Sequence, residues 1–276
     1  MRSLAALPAV SLEYRCRAPH NMHTKHAERA IRRVRHEVKQ RHLTVTQAAF
    51  ITPRMRRISF GGAELEGFTT LGFDDHVKLI FPKESAAAER PPMRDYTPRY
   101  DTGARALHVD FAIHDAGLAT SWAINARVGD KLLVGGPRGS AIIPEDFDWH
   151  LFIGDETALP AIGRRLEELP AGSRAIAIVE VQDEEEQQTL ATRADLRVQW
   201  VLRRAAPAGN ADGLVAALRS INIPSGDYFS WAAAETNVAR AIRRTLIDER
   251  GANRAWVKAA GYWRLGAVAV HDTIED

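Results

Sequence analysis

The stretch Arg94-Asp95-Tyr96-Thr97-Pro98-Arg99 reads as an extended strand that ends at Pro98, a residue that sheets accept only at edges, ends and bulges. Such a strand offers backbone N–H and C=O groups to the rim of a flat ring. Tyr96 can lay an aromatic face on that ring, and Arg94 can neutralise a reduced flavin or a phosphate. The same residues also describe a plain edge strand with surface arginines. Only the surroundings separate the two.

Around this stretch the chain breaks into short strands. Residues 45–51 and 56–60 flank Thr52-Pro53, a break of the hairpin kind. Val77, Leu79 and Phe81 alternate with His76, Lys78 and Ile80. Leu107, Val109, Phe111 and Ile113 alternate with His108, Asp110, Ala112 and His114, a clean period of two. Residues 131–134 follow Gly129-Asp130, and Gly135-Gly136-Pro137-Arg138-Gly139 closes the region. Many short strands punctuated by Gly and Pro imply an antiparallel β-barrel.

From about Trp149 the rhythm changes. Leu151-Phe152-Ile153 leads into Gly154-Asp155-Glu156-Thr157, and residues 158–169 have helical spacing. Residues 175–181 form a continuous apolar run of the buried parallel-strand type. Strands at 196–202, 228–232 and 256–260 alternate with helices at 211–220 and 237–250. This alternation predicts a parallel sheet with helical crossovers. The expected architecture is therefore an α/β two-domain chain: a basic extension over residues 1–35, an antiparallel β-barrel over 36–145, and an α/β domain of nucleotide-binding type over 146–276.

Composition narrows the function. The chain has 276 residues, 45% apolar and 26% charged, with no run long enough to span a bilayer. The short apolar run over residues 4–10 is followed by a poor cleavage site, so no secretory signal is read. A single cysteine, Cys16, excludes an internal disulfide, an iron–sulfur cluster and a Cys-based zinc site. A reducing cytoplasm is the expected location, no metal site is expected, and any electrons must travel on an organic cofactor. Residues 1–41 hold ten Lys/Arg against three Asp/Glu, so the rest of the chain is net acidic. That basic arm reads as a solvated extension rather than a nucleic-acid or membrane anchor. Met22 precedes residues that look like a domain's start, so residues 1–21 are expected to be dispensable.

Further segments carry chemistry. In His114-Asp115-Ala116-Gly117-Leu118-Ala119-Thr120-Ser121-Trp122-Ala123 a strand ends in a small-residue turn, and Thr120 and Ser121 begin a helix. Free N–H groups at a helix N-terminus make a seat for a pyrophosphate, although the two hydroxyls also suit simple N-capping. Gly154-Asp155-Glu156-Thr157-Ala158-Leu159-Pro160-Ala161-Ile162 is a strand-to-helix turn with one leading glycine, not the GxGxxG fingerprint. Trp231-Ala232-Ala233-Ala234-Glu235-Thr236 is a second such turn, where Glu235 faces a ligand or caps its own helix.

These blocks, together with residues 135–140 and Gly261-Tyr262-Trp263-Arg264, follow the order and spacing of the siderophore-interacting proteins, which the chain resembles from about Arg33 to Gly266. That family comprises FAD-dependent ferric-siderophore reductases distantly similar to ferredoxin–NADP reductases. The resemblance implies that Arg94, Tyr96 and Thr97 contact the isoalloxazine. It implies that His114, Ala119, Thr120 and Ser121 contact the ribityl, pyrophosphate and adenosine parts of FAD. It places Glu156, Thr157 and Glu235 where NADPH or NADH binds. Leu118 departs from the family, which often has proline there. Arg203-Arg204 could meet an NADPH 2′-phosphate or form a solvated loop. Lys258 and Arg264 are candidates for a positive patch that steers an anionic ferric siderophore. No dedicated nucleophile is expected, since hydride and electron transfer demand proximity rather than covalent catalysis. Ferredoxin stands as an alternative electron donor, and the chain is expected to be a monomer.

Overall fold

Alternation and turn chemistry generate two sheets that differ in kind. The computed structural model describes residues 29–82, 90–114, 117–267 and 272–274. Most of the basic extension therefore lies outside the described residues, as do Asp115 and Ala116 of the candidate phosphate turn.

The first sheet has seven antiparallel strands: β2 (Gln40–Thr52), β3 (Met55–Gly61), β4 (Val77–Ile80), β5 (Met93–Tyr96), β6 (Arg99–Asp101), β7 (Ala106–Ala112) and β8 (Lys131–Gly135), arranged in the order β5-β4-β8-β2-β3-β7-β6. The long β2 serves two neighbours. Its first residues pair with β8, and the remainder pairs with β3 through two register shifts that bend the strand.

The Arg94–Arg99 stretch is not one strand, as its sequence suggests. It is the end of β5, a two-residue link Thr97-Pro98, and the start of β6, and these are the two opposite edges of the sheet. Three peptide units span at most about 11 Å, so the edges must lie side by side and the sheet must curl on itself. Pro98 has no N–H to give a ladder, which suits it to this closure. Inside the curl Leu43, Ile58, Phe60, Val77, Leu79 and Phe111 are buried and form the core.

A separate two-stranded pairing joins β1 (Arg32–Arg35) to β9 (Gly139–Ile142). Arg32–Arg35 has no apolar alternation, so its sequence alone places it in the extension, yet it pairs along its length with β9. Just before it, buried Arg29 donates to Asp146 and Asp227 and lies 4.9 Å from the centre of the Phe147 ring.

The second sheet contains β10 (Trp149–Gly154), β11 (Arg174–Val181), β12 (Asp195–Leu202), β13 (Tyr228–Glu235), β14 (Val257–Trp263) and β15 (Asp272–Thr273), in the order β12-β11-β10-β13-β14-β15. All neighbours are parallel except β14 and β15. The helices α1 (Leu118–Asn125), α2 (Leu159–Glu168), α3 (Asp212–Ser220) and α4 (Thr236–Arg244) complete the chain; α1 belongs to the barrel, and a π-helical turn at Thr245–Glu249 prolongs α4. The strand order runs outward from β10 to β12 and then returns to β13 on β10's other side. That reversal creates a crevice at the carboxyl ends of β10 and β13, where open α/β sheets bind ligands. Gly154 ends β10 there. A Cβ on it would lie 2.4 Å from the Ala158 Cβ and 2.5 Å from the Ala233 carbonyl oxygen, so only glycine lets α2 start so close to β13.

The two halves share a core. Met55 and Phe73 of the barrel half pack in one cluster with Phe152, Ile162, Phe229 and Trp231 of the sheet. Arg164 of α2, itself buried, donates to the Pro98 carbonyl at 3.0 Å and to Thr70 Oγ1 at 2.8 Å. Arg99 reaches Glu167 at 2.6 Å, and Thr52 with the Arg54 N–H reaches Glu186. The seam of the barrel is thus also the place where the second domain is bolted on.

Candidate functional site

The first group of candidate residues converges on the free edge of β5 and the start of α1. The Tyr96 ring lies 4.5 Å from Phe111, and Phe111 lies 6.0 Å from Trp122 of α1, so an aromatic layer ties β5 to that helix. Burial holds the Tyr96 hydroxyl protonated by raising its pKa. Arg94 donates to its own neighbour, the Met93 carbonyl, at 2.7 Å. Among the described residues no carboxylate stands within ion-pair distance of it.

At α1 the N-cap is Gly117, with φ +134° and no side chain to cap the helix. The first helical bond runs from the Ser121 N–H to the Gly117 carbonyl, which leaves the N–H groups of Leu118, Ala119 and Thr120 without a helical acceptor. Neither acid nor base occupies the first turn. Ala119 and Thr120 are buried, Ser121 is exposed, and His114 is exposed beside Gly117. Thr120 and Ser121 do not cap this helix, so the capping alternative fails. Uncapped donors, small side chains and a glycine on the approach suit a pyrophosphate.

The second group surrounds the crevice between β10 and β13. Thr157 donates its N–H to Asp155 Oδ1 at 2.9 Å, and its hydroxyl bonds the same oxygen. Asp155 Oδ2 accepts the Trp263 indole N–H at 2.8 Å and the Glu235 N–H at 3.2 Å. Burial first, and Glu156 second, push the Asp155 carboxyl up to about 7. Beside it Tyr262 is partly buried, bonds Thr97 of the barrel seam, and is held protonated by desolvation of its hydroxyl and by Asp74. A chain of contacts therefore runs from Thr97 through Tyr262 and its neighbour Trp263 to Asp155 and the crevice.

Several candidate residues are occupied differently from the sequence-based expectation. Both oxygens of the Glu235 carboxylate are taken by backbone N–H groups: Asn237 and Val238 at the start of α4, and Leu265. It is a helix cap rather than an open ligand contact. Glu156 makes a bidentate pair with Arg203 at 2.6 and 2.9 Å, and Arg203 also reaches Glu180 at 3.0 Å. Arg203 is thus neither a solvated loop residue nor a free phosphate ligand. Arg204 is exposed and pairs with Glu184.

Lys258 and Arg264 do not form a free positive patch. Lys258 is ion-paired with Asp74, which also accepts the Trp231 indole N–H, and Arg264 is paired with Asp272 at 2.6 Å. Each cation is neutralised by a carboxylate far enough along the chain, or across the domain boundary, to escape a sequence reading. Among the described residues no three His, Cys, Asp or Glu side chains gather to hold a metal, and no helix is long and apolar enough to cross a membrane.

Sequence reading also missed Asp155, Tyr262, Trp263 and Asp74. Asp155 and the aromatic pair lay inside quoted blocks, but nothing local announces that they meet 108 positions apart.

Comparison with known proteins settles the ancestry of this arrangement. The profile described as "Siderophore-interacting protein" matches residues 147–266. The one described as "Siderophore-interacting FAD-binding domain" matches residues 44–89 and 83–141. The chain belongs to the siderophore-interacting protein family. A member from Escherichia coli (strain K12), an NADPH-dependent ferric-chelate reductase, is 39% identical over 249 residues, covering 84% of this chain and 95% of that protein. The crystal structure of a siderophore utilization protein from T. fusca superposes with a TM-score of 0.81 at 38% identity, covering 88% of this chain and 98% of its own. A ferredoxin–NADP+ reductase from Plasmodium falciparum, at 12% identity and a TM-score of 0.59 over 77% of this chain and 94% of that one, shares the fold alone. The β5 edge, α1 and the barrel strands around them thus lie in the part of the chain that matches the family's FAD-binding domain.

Proposed function

We propose that this siderophore-interacting protein is a reductase that carries electrons from NADPH or NADH through FAD to siderophore-bound Fe(III) and releases Fe(II). The observation that carries the reading is the contact chain Thr97–Tyr262–Trp263–Asp155. It brings the barrel edge suited to the flavin beside the sheet crevice suited to the nicotinamide nucleotide, and transfer between two cofactors needs that proximity. When bound, the flavin supplies the step from two-electron hydride chemistry to one-electron delivery.

The protein's own residues do the rest. Arg94 and the free edge of β5 hold the ring system, with Tyr96 and Thr97 fixing its face and rim. The N–H groups at Ala119 and Thr120, with Ser121 and His114 alongside, receive the pyrophosphate and its flanking groups. Thr157 faces the nucleotide. Glu235 acts by capping α4, and Glu156 acts through Arg203. Ferric siderophores bind iron through hard oxygen ligands, and Fe(II) is held less firmly by such donors, so one electron is enough to loosen the metal.

The test is Fe(II) capture by a ferrous chelator from the FAD-loaded protein supplied with NADPH or NADH and a ferric siderophore. Fe(II) should appear only when protein, nucleotide and siderophore complex are all present. A protein whose flavin is bleached by nucleotide but that yields no Fe(II) from any siderophore class would overturn the assignment.

A further inference from the structure

The crevice between β10 and β13 contains a carboxylate with no part in the reaction as described so far. Asp155 is 5% exposed and makes no ion pair among the described residues, although burying an unpaired carboxylate is costly. Instead it gathers four hydrogen bonds from three turns. Its Oδ1 faces the Thr157 N–H and hydroxyl on its own turn, and its Oδ2 faces the Glu235 N–H at the end of β13 and the Trp263 indole at the end of β14. All three turns lie at the carboxyl edge of the sheet. Opposite Trp263, the Gly209 backbone comes so close that a Cβ there would be 3.4 Å from the indole ring and 3.3 Å from the Glu235 side chain. The indole thus stands as one wall of the crevice, fixed through its only polar atom.

We propose that Asp155 is a positioning residue for the nicotinamide nucleotide, holding the Trp263 indole and the Thr157 hydroxyl across the β10–β13 crevice so that the nucleotide meets a preformed wall. This rests on the reading that the crevice receives NADPH or NADH. Cutting the Asp155–Trp263 bond frees the indole to turn, and the nucleotide must then order it at the cost of its own affinity. Among the described residues Asp155 has its hydrogen-bond partners in the α/β sheet and none in the barrel, so FAD retention should be independent of it.

Titration of NADP+ and of NAD+ into the FAD-loaded protein tests this without turnover. Asp155→Asn leaves volume and one acceptor but loses the second acceptor oxygen. Trp263→Phe keeps an aromatic ring but removes the donor together with the pyrrole half of the indole. Each should weaken binding of the preferred nucleotide about tenfold, with FAD content unchanged and the loss in turnover appearing in KM rather than kcat. The double variant should be no weaker than the weaker single variant, because both cut one bond. Wild-type affinity in both single variants, or additive losses in the double, overturns the proposal while leaving the reductase intact. Failure of the wild-type protein to bind either nucleotide overturns the placement of the crevice as well.

Discussion

In the barrel half, Phe60, Leu79, Val109 and Phe111 fill the interior, and the buried charges Arg41, Asp75 and Asp110 each have hydrogen-bonded partners. At the carboxyl edge of the α/β sheet, by contrast, Asp155, Glu180 and Glu235 are buried together with Arg203 close by. One half keeps its cofactor candidate at an edge of uncommitted backbone. The other packs its crevice with side chains already committed to each other. The first arrangement selects a ligand by peptide geometry and the second by which internal bonds a ligand must respect, so the same kind of substitution should have different consequences in the two halves.

The largest effect that would expose this difference is expected at Gly154. Gly154→Ala places a methyl group against Ala158 and the Ala233 carbonyl, and should cost about 3 kcal/mol in urea unfolding. A loss below about 1 kcal/mol would mean that the crevice is looser than its contacts imply. Next is the bolt between the halves: Arg164→Met strands the Pro98 carbonyl and Thr70, and should cost about 2 kcal/mol. If unfolding then separates into two transitions, the halves are coupled mainly at this point; a single shifted transition would show that the shared core around Phe73 suffices.

A third comparison uses pH. Burial raises the Asp155 carboxyl to about 7, so the folded chain keeps a proton that the unfolded chain releases near pH 4. That contribution to stability is complete below the unfolded value and is lost as pH rises through 7. Its slope is at most about 1.4 kcal/mol per pH unit. Asp155→Asn should flatten this part of the stability profile, as read by urea midpoints between pH 5 and 7.5, and an unchanged slope would place the titration elsewhere. The smallest effects on folding are expected for the arginines that divide the functions. Arg94→Ala should weaken FAD retention about tenfold, or roughly 1.4 kcal/mol, with little change in stability. Arg264→Ala breaks a solvent-screened pair with Asp272, should leave FAD in place, and should barely move the urea midpoint. Equal FAD loss in both variants would sink the assignment of the β5 edge.

Periodicity made the regular elements legible. The alternation around Leu107–Phe111 gave β7, and the continuous apolar run gave β11, because strand burial is written into local spacing. Pairing partners are not written there. Arg94–Arg99 reads as one extended segment because extension is local, whereas its split between opposite sheet edges depends on five other strands. Arg32–Arg35 carries no strand pattern and is a strand only because β9 passes beside it. The candidate site divided in the same way. Residue types at the α1 turn showed what could bind there, but the occupation of Lys258 by Asp74 and of Glu235 by its own helix depends on distant chain or on cap geometry. Asp155 looked like one acid among several, since neither burial nor a donor 108 positions away has a local signature.

The closure at Thr97-Pro98 also bears on the life of the protein before it meets its cofactor. A cylinder joined at one end by two residues is open along the remainder of that line, and among the described residues no strand pairs with the outer flank of β5. Such flanks recruit strands from other molecules and start aggregates. A flat heterocycle seated there would shield that line as well as perform redox chemistry. Freshly made chains should therefore clump when FAD is scarce and stay dispersed when it is abundant, a difference that light scattering during refolding with and without FAD would show.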